Sequence, residues 1–160
     1  MGIYAKIRIK CKAASKTYLG LLNSGSSEPL SEVLDVGAYI IVPLEVSQEL
    51  GIDIRNLIEI KKGECWLDPR KYIISIVIDD EEVEQVECRI YIKRGEDRII
   101  LPIEFMEEAK IRLDLHTRSW MIVGKTGWLK SAHLSEKDPH LLRYTHVPKL
   151  RKRLEELFKT

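Results

Sequence analysis

Apolar and charged residues alternate from the start of the chain. In residues 3–10, IYAKIRIK, the apolar side chains recur every second position, the period of a strand with one face in a core. Residues 17–22, TYLGLL, form a second apolar run, and residues 11–16, CKAASK, read as the turn of a hairpin. Asn23-Ser24-Gly25-Ser26-Ser27-Glu28-Pro29 is the strongest loop signal in the chain. Residues 39–42, YIIV, predict a buried strand stopped by Pro43. LEVSQELGI then has the spacing of a short amphipathic helix. Leu44, Val46, Leu50 and Ile52 supply its apolar contacts, and Gly51 is placed as its C-cap.

The middle of the chain is β-rich. Ile54, Leu57, Ile58 and Ile60 fill residues 54–60, and residues 72–78, YIISIVI, are strongly β-branched. In residues 86–92, Val86, Cys88, Ile90 and Ile92 fall on one face and Glu87, Arg89 and Tyr91 on the other. The acidic run Asp79-Asp80-Glu81-Glu82 between these two predicts a solvated turn. Residues 98–101, RIIL, lead to Pro102 and a second short helix, IEFMEEAKI; residues 119–123, SWMIV, predict a strand, and Gly124–Gly127 a turn. The predicted core takes Ile7, Ile9, Leu21, Leu22, Ile41, Val42, Leu50, Ile58, Ile60, Ile74, Ile76, Ile90, Ile92, Ile100, Leu101, Phe105, Trp120 and Ile122.

An internal repeat stands out. YIIVPLEVSQELGI at 39–52 aligns with RIILPIEFMEEAKI at 98–111, an offset of 59 residues. Each copy is a short strand, a Pro that opens a helix well because its missing N–H would be unpaired there, and a helix of like pattern. The tail has another character. Residues 131–148 hold three of the four histidines and no clear period, and 149–159 form a charged amphipathic helix with Leu150, Leu154, Leu157 and Phe158 on one stripe. The expected organisation is therefore a β domain over 1–130 and a C-terminal extension with a helix over 131–160.

Composition narrows the function classes. Of 160 residues, 44% are hydrophobic and 32% charged, enough for a real core. Lys and Arg number 26 against 25 Asp and Glu, so no global field draws the chain to nucleic acid or an anionic membrane. No apolar run approaches the roughly 18 residues of a membrane span, and the first residues lack the apolar stretch of a secretory signal. Cys11, Cys65 and Cys88 are odd in number and widely spaced, which points to a reducing, cytoplasmic setting and not to a disulfide framework or zinc site. His116, His133, His140 and His146 show no ligand spacing, and no phosphate-binding glycine motif or nucleophile elbow occurs. No metal or cofactor is expected. Amides are scarce (Asn23, Asn56, Gln48, Gln85) while Ile, Glu, Lys and Arg abound, the usage of a hyperthermophile.

Two stretches carry the candidate chemistry: Leu21-Leu22-Asn23-Ser24-Gly25 at the end of the first hairpin, and Leu34-Asp35-Val36-Gly37-Ala38 before the strand that stops at Pro43. With IIVPLEVSQELGI and RIILPIEFMEEAKIRLDLHTRSWMI, they make residues 3–123 resemble the retropepsin-like aspartic peptidases. That family runs a hairpin strand into Asp-Thr/Ser-Gly-Ala, follows it with a buried strand and short helix, and closes on an apolar strand, helix and final strand. The resemblance implies a mainly β fold, a closed barrel with two short helices, here with a C-terminal helix added. It also implies a homodimer, because one motif supplies one carboxylate and the reaction needs two sharing a proton.

The motif is degenerate in two ways. By topology, Asn23 stands at the acid's place, with Ser24 and Gly25 after it. Asn has no proton to lose, so the domain would be inactive and would retain peptide binding at most. By local spelling, Asp35 is the acid, Gly37 the motif glycine, and Val36 replaces the hydroxyl residue that braces the dyad. Leu101-Pro102 also stands where the family has a glycine. A second resemblance, of 39–64 to AbrB-type swapped-hairpin DNA-binding domains, implies a transcriptional regulator. Against it, Leu44 and Ile103 follow the prolines where a basic residue is usual, and both helices are acidic. A third reading is a plain interaction module.

Overall fold

In the computed structural model, residues 2–11, 14–23, 37–136, 138–145 and 148–159 are described. The first hairpin pairs β1 (Tyr4–Cys11) with β2 (Ala14–Asn23) antiparallel, from Tyr4↔Leu21 to Cys11↔Ala14. The strands run closer to the turn than the CKAASK reading allowed, because the ladder continues through Cys11 and Ala14. A second hairpin joins β5 (Cys65–Ile78) to β6 (Glu81–Lys93). Its turn is only Asp79-Asp80. Both have positive φ, 52° and 62°, as a two-residue turn matching the strand twist requires. The rest of the acidic run is not merely solvated. Glu82 bridges Arg8 at 3.1 Å and Lys10 at 3.0 Å across the barrel wall, and Glu81 meets Lys130 at 3.4 Å.

Between and after the hairpins come the two strand–Pro–helix units. The first is β3 (Tyr39–Pro43) with α1 (Leu44–Glu49), and the second is β7 (Ile99–Pro102) with α2 (Ile103–Ala109). β3 lies parallel to β6, and β7 lies parallel to β2. The units meet antiparallel at Ile41↔Ile100, which are the same position of the sequence repeat. The hairpins meet through β1 and β5, from Lys6↔Val77 to Lys10↔Ile73. Among the described residues, the order β1-β2-β7-β3-β6-β5 thus closes on itself as a barrel, with β4 (Ile58–Lys61) added at the edge of β5. Hairpin, parallel strand and helix occur twice, and like elements meet side by side where the halves join, β3 beside β7 and β1 beside β5.

The barrel interior is filled by the alternating positions the sequence predicted, including Ile7, Ile9, Ile74, Ile76, Ile90, Ile92 and Leu101, and Phe105 and Trp120 join the same core. Three predicted core residues differ. Ile58 and Ile60 are 47% and 39% exposed, because β4 has, among the described residues, a single strand neighbour, β5. Leu50, at the end of α1, is only partly buried. Conversely Tyr91, assigned to the polar face of its strand, is buried. It packs with Tyr39, Ile41, Cys65, Leu67 and Ile100 in a second cluster on the outside of the barrel wall. Strands covered on both faces read as continuous apolar runs, as YIIV and RIIL do.

A three-stranded sheet of β8 (Ile111–Asp114), β9 (Ser119–Val123) and β10 (Leu129–Ala132) follows. Trp120 ties it to the barrel by donating its indole N–H to the Tyr4 carbonyl at 2.9 Å. The chain then returns to its own beginning. Ser135 bridges Ile3, the Tyr4 N–H donates to the Leu134 carbonyl, and a 3₁₀ turn (Pro139–Tyr144) leads to α3 (Pro148–Phe158). Leu154 of α3 is 2% exposed and packs with Tyr4, Leu19, Leu21, Leu134 and Leu141, so the amphipathic helix docks on the first hairpin; Leu157, read as part of the same stripe, is 45% exposed. The swapped-hairpin reading gains no support, since both strand–Pro–helix units are built into one barrel together with residues 4–11 and 72–93.

Candidate functional site at the end of strand β2

β2 ends beside β7 in the register Gly20↔Ile99, Leu21↔Ile100, Leu22↔Leu101, Asn23↔Pro102. Gly20 allows this fit: a Cβ there would sit 2.6 Å from the Leu101 side chain. The chain therefore delivers Asn23 at a strand end, half-buried, next to the residue that opens α2. The equivalent end on the other side of the repeat is Lys93, paired with Pro43. Gly37 is exposed just before β3, with φ of +70°, a conformation that favours glycine. Ser24, Gly25 and Asp35 lie outside the described residues.

Asn23 opens into a cleft of about 460 Å³ that it shares with Leu113 and Leu115 of the β8 region, Arg98, Glu136 and Arg153. That volume lies within the range of small-ligand sites. Leu115 is 74% exposed and offers an apolar wall. The Tyr4 hydroxyl donates to Glu136 at 3.2 Å. Burial pushes the Tyr4 pKa up, and the adjacent Arg98 partly counters it. Arg98 and Arg153 form no ion pair among the described residues. An amide at the strand end can donate and accept hydrogen bonds but cannot lose a proton, so a carboxylate dyad cannot be assembled on Asn23. Sequence reading placed Asn23 at the strand end but missed Arg98, Glu136 and Arg153. The repeat carried one signal: Arg98 takes the position of Tyr39, a charged residue where the first copy has an aromatic one.

A buried carboxylate does occur elsewhere. Asp68 in β5 is fully buried where the β5–β6 register shifts between Asp68 and Tyr72. Burial pushes its pKa up, but hydrogen bonds from Arg70 (2.9 and 2.8 Å) and Tyr72 (2.5 Å) prevail and hold it below the usual carboxylate range. Cys11 lies near this cluster, and burial raises its pKa, so it is a thiol and not a poised nucleophile. The cluster is a closed hydrogen-bonded knot at a bulge. No group of three or more His, Cys, Asp or Glu able to hold a metal occurs among the described residues.

No family model matches the chain, and no curated protein matches it in sequence. Its fold does have a match. The retroviral protease-like domain of Ddi1 from Leishmania major superposes with a TM-score of 0.53, covering 86% of this chain and 98% of that one. The chain has the retropepsin-like fold. At 11% identity the likeness is one of fold alone. A retropepsin-like aspartic protease from Rickettsia conorii matches more loosely, with a TM-score of 0.44, 17% identity and coverage of 69% of this chain and 75% of that one. The retropepsin-like barrel here carries no helix, among its described residues, long and apolar enough to cross a membrane.

Proposed function

We propose that this chain is an aspartic-peptidase-like domain that binds an extended peptide in the cleft at the end of β2 and does not cleave it. The observation that carries the reading is Asn23 itself: an amide, at the end of the parallel strand of a retropepsin-like barrel, facing a cleft of about 460 Å³. Its amide is a polar group at the lining of the cleft, and Leu113 and Leu115 supply apolar contact. The reading includes a homodimer, which would bring a second copy of the same cleft, and a reducing compartment, which suits the three free cysteines.

Incubation with a random peptide library between pH 3 and pH 6, followed by mass spectrometry, tests it. The expected result is no new termini from the wild-type protein and none from Asp35→Asn. Hydrolysis by the wild type that Asp35→Asn abolishes would overturn the reading and make Asp35 the catalytic acid. Sedimentation tests the dimer, with an expected mass of twice 18.5 kDa.

A further inference from the structure

We propose that the cleft selects peptides that carry a carboxylate, held by Arg98 and Arg153. This rests on the peptide-binding reading and names what that site recognises. Arg98 comes from the loop before β7, and Arg153 from α3, an element the retropepsin-like barrel itself does not need. The two line the Asn23 cleft together, and both also line an adjoining pocket of about 380 Å³ with Lys149. Lys149 and Arg153 are four residues apart and so share one side of the helix. Leu154, 2% exposed, fixes that helix against the barrel.

Arg98 lies against the Tyr4 hydroxyl, but none of Arg98, Arg153 and Lys149 has an ion pair among the described residues, although the acidic side chains Glu96, Asp97 and Glu136 line the same pockets. Glu136 accepts from the Tyr4 hydroxyl. Glu96 accepts from the backbone N–H groups of Asp97 and Arg98 at 3.2 and 3.3 Å. Asp97 remains as the exposed counter-charge. Guanidinium groups from two separate elements, converging on one concave site, match the planar fork of a carboxylate. An Asp or Glu side chain and a peptide C-terminus present the same group, and Asn23 lines the same cleft.

Fluorescence anisotropy of the full chain with labelled octapeptide pools tests this. The pools carry Glu or Gln at one fixed position, each ending in a free acid or an amide. A carboxylate is expected to tighten binding about tenfold. Arg98→Gln and Arg153→Gln should each remove that gain, so that the pools with and without a carboxylate bind the variant with equal affinity. A gain that follows the free terminus identifies the C-terminal carboxylate, and one that follows Glu identifies a side chain; both support the proposal. Equal affinity for all pools overturns it and leaves peptide binding standing. No binding of any pool overturns the peptide reading as well. Should Arg98→Gln fail to fold, Arg153→Gln, on an exposed helix surface, decides alone.

Discussion

The two halves of the barrel are built to one plan and finished differently. In both, a hairpin delivers its second strand alongside a strand–Pro–helix unit. Repeat-equivalent residues do equivalent work: Ile40 and Ile99, Val42 and Leu101, Val46 and Phe105 are all buried, and Ile41 pairs with Ile100. The packing of each pair is balanced locally. Where β7 carries the larger Leu101, its neighbour strand provides Gly20; where β3 carries Val42, β6 provides Ile90. The strand ends diverge. The first half ends in Asn23 beside a cleft, the second in Lys93 beside Pro43. Shared architecture therefore follows from the buried positions, and chemistry is free to differ at the ends because no core contact constrains it.

The largest way to break this comparison is in the cores of the two helices. Phe105→Ala should cost about 3–5 kcal/mol and Val46→Ala clearly less, since the smaller side chain leaves the smaller cavity. Urea unfolding of both variants checks this, and equal losses would mean the halves are not packed independently. Next, Gly20→Ala should cost about 1–3 kcal/mol, because the new methyl meets Leu101 at 2.6 Å within a closed barrel. The same experiment should show that Leu101→Val restores part of the loss, by making the first half resemble the second.

The bulge at Asp68 belongs to the second half only, and Tyr72→Phe isolates it. Removing the hydroxyl that bonds a buried carboxylate should cost about 1–3 kcal/mol at neutral pH. Asp68 titrates below its ordinary value in the folded state, so the stability it confers is present above about pH 4. That stability is lost as pH falls through the lower folded value. The penalty of Tyr72→Phe should therefore shrink below pH 4, which thermal melts across pH 2–7 will show; a pH-independent penalty would remove Asp68 from the account. The smallest effect concerns how the two helices end. Gly51 and Lys110 are repeat-equivalent and both left-handed, with φ of 73° and 60°. Glycine is at ease there and lysine is not, so Lys110→Gly should stabilise by about 1 kcal/mol. Melting temperature reads this directly.

How much could be seen beforehand follows the same division. The repeat, the hairpin and the strand–Pro–helix units were legible because alternation and Pro placement are local signals. Asn23 was legible as a strand end for the same reason. Ile58 and Ile60 were misplaced because β4 and an interior strand have the same pattern; only the number of neighbours distinguishes them. Tyr91 was misplaced because a strand covered on both sides obeys no alternation. The full correspondence of the halves was hidden, since the hairpins keep their roles in the fold but share almost no residues.

The sequence by itself determined the β character, the two repeated units, the absence of an acid at the end of β2 and the amphipathic tail helix. Each of these depends on residues close together in the chain. Closure of the barrel through β1 and β5, the pairing of Ile41 with Ile100, and the placing of Arg98 and Arg153 around one cleft were decided only by tertiary structure. Those arrangements bring together residues separated by more than 50 positions, and no local period records which distant strand or helix will supply a partner.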